Sequence, residues 1–166
     1  ENERNLAAVN RMGGVGHIYL SHSHELASGV FQARKQLNSR LVGHVEMQKY
    51  MPDGATLDVA LDPGPGQILP GGIEAFYTPG HTDNNVCYRV TLADGTRVLF
   101  VGDVIYPDHG VWKTLVMERD GGRHAQMQES LRFLASLDAD LILPSLFLGD
   151  APALYSPSPF RGLLAA

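Results

Sequence analysis

A single cysteine in 166 residues leaves no room for an internal disulfide framework and fits a reducing, cytoplasmic setting. No apolar run approaches the roughly 20 residues of a membrane-spanning helix, and no signal peptide is visible. Basic residues are few and scattered, 13 against 18 acidic ones for a net charge of −5, so the footprint of a nucleic-acid-binding protein is missing. Internal repeats are absent too. The chain opens on Glu1-Asn2-Glu3, with neither a Met nor an apolar strand, which reads as a trimmed or processed piece of something longer. What remains is the composition of a soluble globular protein, 44% hydrophobic and long enough for one domain, 1–166, with a real core.

Hydrophobic periodicity places a short amphipathic helix over 3–12 (Leu6, Val9, Met12), ended by Gly13-Gly14-Val15-Gly16. A buried strand follows at 18–20. A second helix at 29–38 carries Val30, Ala33 and Leu37, and a strand lies at 41–45. From 51 to 72 the chain turns rich in Pro and Gly and reads as loop, with a small edge strand at 67–69. Residues 73–78 form a strand that Pro79-Gly80 breaks. Strands at 86–92 and 97–101 form a hairpin around Asp94-Gly95. The stretch with Tyr106, His109 and Trp112 reads as loop. The clearest helix covers 124–137, with Met127, Leu131, Leu134 and Leu137 on one face. A buried strand at 141–143 stops at Pro144, and a tail rich in Pro and Ser ends in a turn at 162–165. The mixture of βα alternation and antiparallel hairpin suggests an α/β fold with helices on sheet layers.

The chemistry-bearing stretch is Ser21-His22-Ser23-His24, at the end of the first strand. In an extended segment residues i and i+2 share a side, so two imidazoles aim at one point. Alone the signal is weak. With seven histidines, chance supplies about 0.3 His-x-His per chain of this composition, and two polar residues at a strand end is the plainer reading. Two further loops that follow strands change the balance, for they carry His81 and Asp103. Neutral imidazole and carboxylate are metal ligands, and strand ends on one sheet edge converge in space.

His-x-His after an apolar strand, then Thr78-Pro79-Gly80-His81-Thr82, then Phe100-Val101-Gly102-Asp103, resembles the metallo-β-lactamase superfamily of metal-dependent hydrolases. The helix from Ser130 to Leu137 and the run Leu141-Ile142-Leu143-Pro144 look like the stretch before the family's last ligand. The resemblance implies a four-layer αβ/βα sandwich, here short of the family's first strands. It also implies a metal site of His22, His24 and His81, with Asp103 the carboxylate that bridges two metals in the family. The departures fall on the second metal. The family's His-x-His-x-Asp-His reads His22-Ser23-His24-Glu25-Leu26-Ala27, and its late Pro-Gly-His reads Pro144-Ser145-Leu146. Three ligands of that second site are gone.

Three neutral histidines and an open position suit a single catalytic zinc, with Asp103 as the catalytic group that orients water or accepts its proton. The expectation is a hydrolase of an ester, thioester, lactone or amide, acting on a small molecule, with no nucleic-acid or membrane partner and a homo-oligomer open. A second reading is an inactive fold serving as a binding or assembly module, since Leu26, Ala27 and Leu146 put apolar groups where ligands should stand. A third takes His22 or His24, together with His81 and Asp103, as a facial triad for Fe(II), an arrangement that persulfide dioxygenases of the superfamily resemble. By alternation Glu25 points away from His24 and reads as a solvated loop residue. Asp83 reads as a turn-stabiliser, His109 as a surface histidine with a lesser chance of replacing a ligand, and His17, His44 and His124 as structural or solvated. Cys87 reads as a small core residue, and Tyr106 and Trp112 as pocket lining or core cover.

Overall fold

The computed structural model describes residues 2–62, 64 and 66–149; the turn expected at 162–165 lies outside them. The chain divides into two compact units, Glu1–Asp62 and Pro63–Ala166.

The first unit holds helices α1 (Asn2–Arg11) and α2 (Ser28–Leu37) and a parallel sheet ordered β1 (His17–Tyr19), β2 (Arg40–His44), β3 (Val59–Leu61). Helix α1 stops one residue before Met12, which is 80% exposed rather than part of the apolar face. The central strand β2 is buried from Leu41 to His44, as expected for a parallel strand covered on both faces. Leu20, Leu41 and Met47 form the core, with Ile18, Leu26, Val30 and Phe31 packed on it. Strand β3 falls in a stretch read as loop. A 3-10 helix, Val45–Tyr50, begins where the second strand was expected to end. Asp58 ties these pieces together. Its backbone N–H donates to the Leu41 carbonyl, its carbonyl accepts from the Arg40 guanidinium, its Oδ2 accepts from the Leu41 N–H at 2.6 Å, and its Oδ1 pairs with Arg34 of α2 at 2.6 Å.

The second unit carries a mixed sheet ordered β10 (Leu141–Pro144), β7 (Arg97–Gly102), β6 (Val86–Thr91), β5 (Ile73–Tyr77), β4 (Gln67–Leu69). Strand β10 runs parallel to β7, with Leu141 opposite Val98, and the other pairings are antiparallel. Helix α3 (His124–Ser136) lays Met127, Leu131 and Leu134 on Leu99, Val101 and Ile142. The face seen in the sequence is the buried one. Glu74 and Arg89 stand opposite each other on β5 and β6 in a bidentate pair at 2.7 and 2.9 Å, which holds Glu74 below its ordinary pKa. The stretch read as loop after Asp103 contains the hairpin β8 (Ile105–Asp108) and β9 (Val111–Thr114). Its turn is His109-Gly110, both at positive φ (48° and 84°), the backbone that a two-residue hairpin demands. Among the described residues no helix is long and apolar enough to cross a membrane.

Candidate metal centre

In the first unit, β1 delivers the chain through Leu20 and Ser21 to the histidine pair. His22 is extended (φ −163°, ψ 173°) and only 2% exposed. The next three residues, Ser23–Glu25, are not extended but coil into a 3-10 helix. Strand alternation therefore does not set the pair, yet the two side chains still meet. The rings of His22 and His24 meet edge to face with centroids 4.9 Å apart, and His24 is exposed.

The coil also corrects the reading of Glu25. Curling back, its Oε2 accepts from the Ser21 N–H at 2.6 Å and its Oε1 from the Ser21 hydroxyl at 2.8 Å. The Ser21 Oγ lies 2.8 Å from Nδ1 of His22. Glu25 is thus bound into the first motif rather than solvated. The signal was present in the sequence, a Ser directly before the first His and an acid four residues after that Ser. The family's motif directs attention to the position of the missing Asp instead. That position, Leu26, packs against the apolar core of this unit, and Ala27 is the residue before the first turn of α2. Neither aliphatic side chain carries an atom that can ligate a metal.

In the second unit, His81 sits in the 78–85 connection between β5 and β6 and is fully buried, as are Thr78, Thr82, Asn84 and Asn85. This loop is held across its base, where the Thr78 N–H donates to the Asn85 carbonyl at 2.9 Å and the Asn85 amide donates to the Thr78 hydroxyl at 3.1 Å. Ser130 of α3 donates to the Pro79 carbonyl at 2.6 Å. Gly80 has φ +140°, and a Cβ there would lie 2.4 Å from Cα of Met127, so only glycine lets the loop rest against α3. Gly122 makes a similar approach, 2.4 Å from its Cβ position to the His81 carbonyl. That carbonyl accepts from the Met117 N–H at 2.8 Å, and Nδ1 of His81 lies 2.9 Å from the Leu115 carbonyl. A carbonyl only accepts, so Nδ1 carries the proton and the lone pair is on Nε2. Sequence reasoning gave no role to Leu115 and Met117, because they act through backbone atoms that any residue type supplies.

Asp103 follows β7 directly, and its Oδ2 is 3.8 Å from Nε2 of His81, with the carboxylate largely buried. Asp83 serves the loop itself, its carbonyl accepting from the Tyr77 hydroxyl and its carboxylate from the Asn84 amide. His109 is 79% exposed and pairs with Asp108, itself bonded to Lys113. Trp112 packs on the core edge. Cys87 is fully buried, hydrogen-bonded with Thr78, and burial pushes its thiol up to about 12.

Comparison with known proteins bears on the fold and the family. The chain aligns over 86% of its length with a Cronobacter sakazakii metallo-β-lactamase of HARLDQ motif, at 17% identity and TM-score 0.61. It aligns over 94% with ETHE1 from Myxococcus xanthus, at 23% identity and TM-score 0.64. It aligns over its whole length with the B3 metallo-β-lactamase BLEG-1, covering 85% of that chain at 18% identity and TM-score 0.74. The chain spans only 62% of the Cronobacter protein and 64% of the Myxococcus one. These likenesses establish a shared fold. Among curated proteins none matches at a significant level. The family description that matches is the metallo-beta-lactamase superfamily, over residues 13–145, a stretch containing both histidine motifs and Asp103. With four-fifths of its length inside that match, the chain belongs to the metallo-β-lactamase superfamily.

Proposed function

We propose that this protein is a mononuclear metal-dependent hydrolase in which His22, His24 and His81 hold one zinc ion and Asp103 positions the water. The observation that carries the reading is the tautomer of His81. Its Nδ1 is committed to the Leu115 carbonyl, which leaves Nε2 as the ligating atom, the arrangement found behind metal-binding histidines generally. Zinc bound by three imidazoles supplies a Lewis acid and brings a bound water to a pKa near 7. The protein's own contribution is to hold two imidazoles on buried loops and to keep a carboxylate beside one of them. Asp103 would accept a hydrogen bond from water and take its proton as a carbonyl compound, an ester, thioester, lactone or amide, is attacked.

Elemental analysis of protein purified without added metal or chelating resin tests this. About one zinc per chain is expected. His81→Ala should lose it, while Asp103→Asn should keep most of the zinc and lose at least about 100-fold in turnover of an ester or lactone. Iron at similar occupancy would overturn the zinc reading in favour of the facial-triad alternative. No metal, even after zinc is offered, would overturn both and leave a binding module.

A further inference from the structure

We propose that Glu25, acting through Ser21, is a positioning residue that fixes the tautomer of His22. The Ser21 hydroxyl has one hydrogen and two polar neighbours, Oε1 of Glu25 at 2.8 Å and Nδ1 of His22 at 2.8 Å. A carboxylate offers acceptors only, so the hydroxyl proton goes to Glu25. The serine oxygen must then accept, and the only proton Nδ1 can offer is its own. His22 is thereby held as the Nδ1–H tautomer with its lone pair on Nε2.

The carboxylate is pinned for this task. Its second oxygen accepts from the Ser21 backbone N–H at 2.6 Å, a donor that cannot reverse. The 3-10 helix of Ser23–Glu25 is what folds residue 25 back onto residue 21. His22 is buried, so bulk water does not compete for the ring nitrogen. The same logic that sets His81 through the Leu115 carbonyl thus sets His22 through a side-chain relay. The inference concerns the ring alone. Its consequence for metal affinity rests on the proposed zinc site.

The relay makes an asymmetric prediction for Glu25→Gln, which has the same shape. The Ser21 N–H still donates, so the amide oxygen must face it and the amide NH2 must face the Ser21 hydroxyl. The serine oxygen now accepts from the amide, and its proton turns to Nδ1. The His22 ring is driven to the Nε2–H tautomer with no hydrogen bond lost.

The test is long-range 1H–15N NMR of the metal-free 15N-labelled protein at about pH 8, where an ordinary histidine is neutral. The His22 signals are identified by their disappearance in His22→Gln. Wild type should show Nδ1 protonated, Glu25→Gln should show Nε2 protonated, and Ser21→Ala should show a mixture, with far-UV circular dichroism unchanged. Zinc affinity should fall by about 10–100-fold in both variants, the usual scale for a lost partner behind a ligand. A ring that keeps its wild-type tautomer in Glu25→Gln, or a mixture already present in wild type, would overturn the relay. If Glu25→Gln does not fold, Ser21→Ala decides, because an unchanged ring there overturns it equally. An inverted tautomer in a protein that never binds zinc upholds the relay and sinks the metal reading, so the two fail separately.

Discussion

Gly80→Ala tests how the His81 loop is held. Two costs combine in this substitution. An alanine at φ +140° leaves the region that L-residues favour, a penalty of about 1–3 kcal/mol. The new methyl also lands 2.4 Å from Cα, 2.6 Å from N and 2.8 Å from Cβ of Met127. Ordinary contact begins near 3.4 Å, so the loop and the first turn of α3 must part by about an ångström, at an overpacking cost of about 1–3 kcal/mol. Met127 is backbone at two of those three contacts and cannot swing aside. The expected loss is about 2–6 kcal/mol, large beside the 5–15 kcal/mol that typically stabilises a domain. Gly95→Ala separates the two terms. There φ is +87° but nothing lies within 4 Å of the added Cβ, so only the backbone cost of about 1–2 kcal/mol applies. Urea unfolding followed by far-UV circular dichroism reads both. The reasoning is refuted if Gly80→Ala loses no more than Gly95→Ala, for that would mean the close approach to α3 carries no energy.

Other consequences are quickly checked. Cys87, with its thiol pushed up to about 12 and no exposure, should resist a thiol reagent at neutral pH in the native state and react at once in denaturant; native labelling within minutes would contradict its burial. Asp140 is held down to about 2 by the Arg97 guanidinium and N–H. Its folded pKa lies below the unfolded value, so its contribution is complete above about pH 4 and disappears as pH falls toward 2. In Arg97→Ala its carbon-detected titration should move up toward an ordinary aspartate, and an unmoved midpoint would deny the pair. Ser130→Ala leaves the Pro79 carbonyl without its 2.6 Å donor and should cost about 1–3 kcal/mol by urea unfolding.

The parts of the fold that were legible are those with a period or a turn residue. Helix α3 matched its apolar spacing because Met127, Leu131 and Leu134 face one core, and the Asp94-Gly95 hairpin formed where it was expected. Strand β3 was hidden in Pro- and Gly-rich surroundings, since three residues paired to one parallel neighbour carry too little pattern to stand out. The β8–β9 hairpin escaped because its turn uses His109, an uncommon choice at positive φ. At the candidate site, the ligand residues were readable as types in order. The atoms that orient them were not, because the Leu115 carbonyl and the Met117 N–H belong to every sequence. Glu25 was legible in principle as an acid four residues after Ser21, but strand alternation does not hold where the chain has already coiled.

The parallel pairing of β10 with β7 has a consequence for how the second unit is made. Strand β7 is complete at Gly102, but its partner begins at Leu141, about 40 residues later on the chain. During synthesis β6 and β7 can form their hairpin early, while the other edge of β7, with Leu99 and Val101 destined for the core, stays open until the last strand emerges. Bare apolar edges are templates for wrong pairing with other chains. An interruption before residue 141 would therefore leave that edge unpaired and the chain prone to aggregate, because helix α3, made in the interval, covers the Leu99 and Val101 face and not the hydrogen-bonding edge of β7.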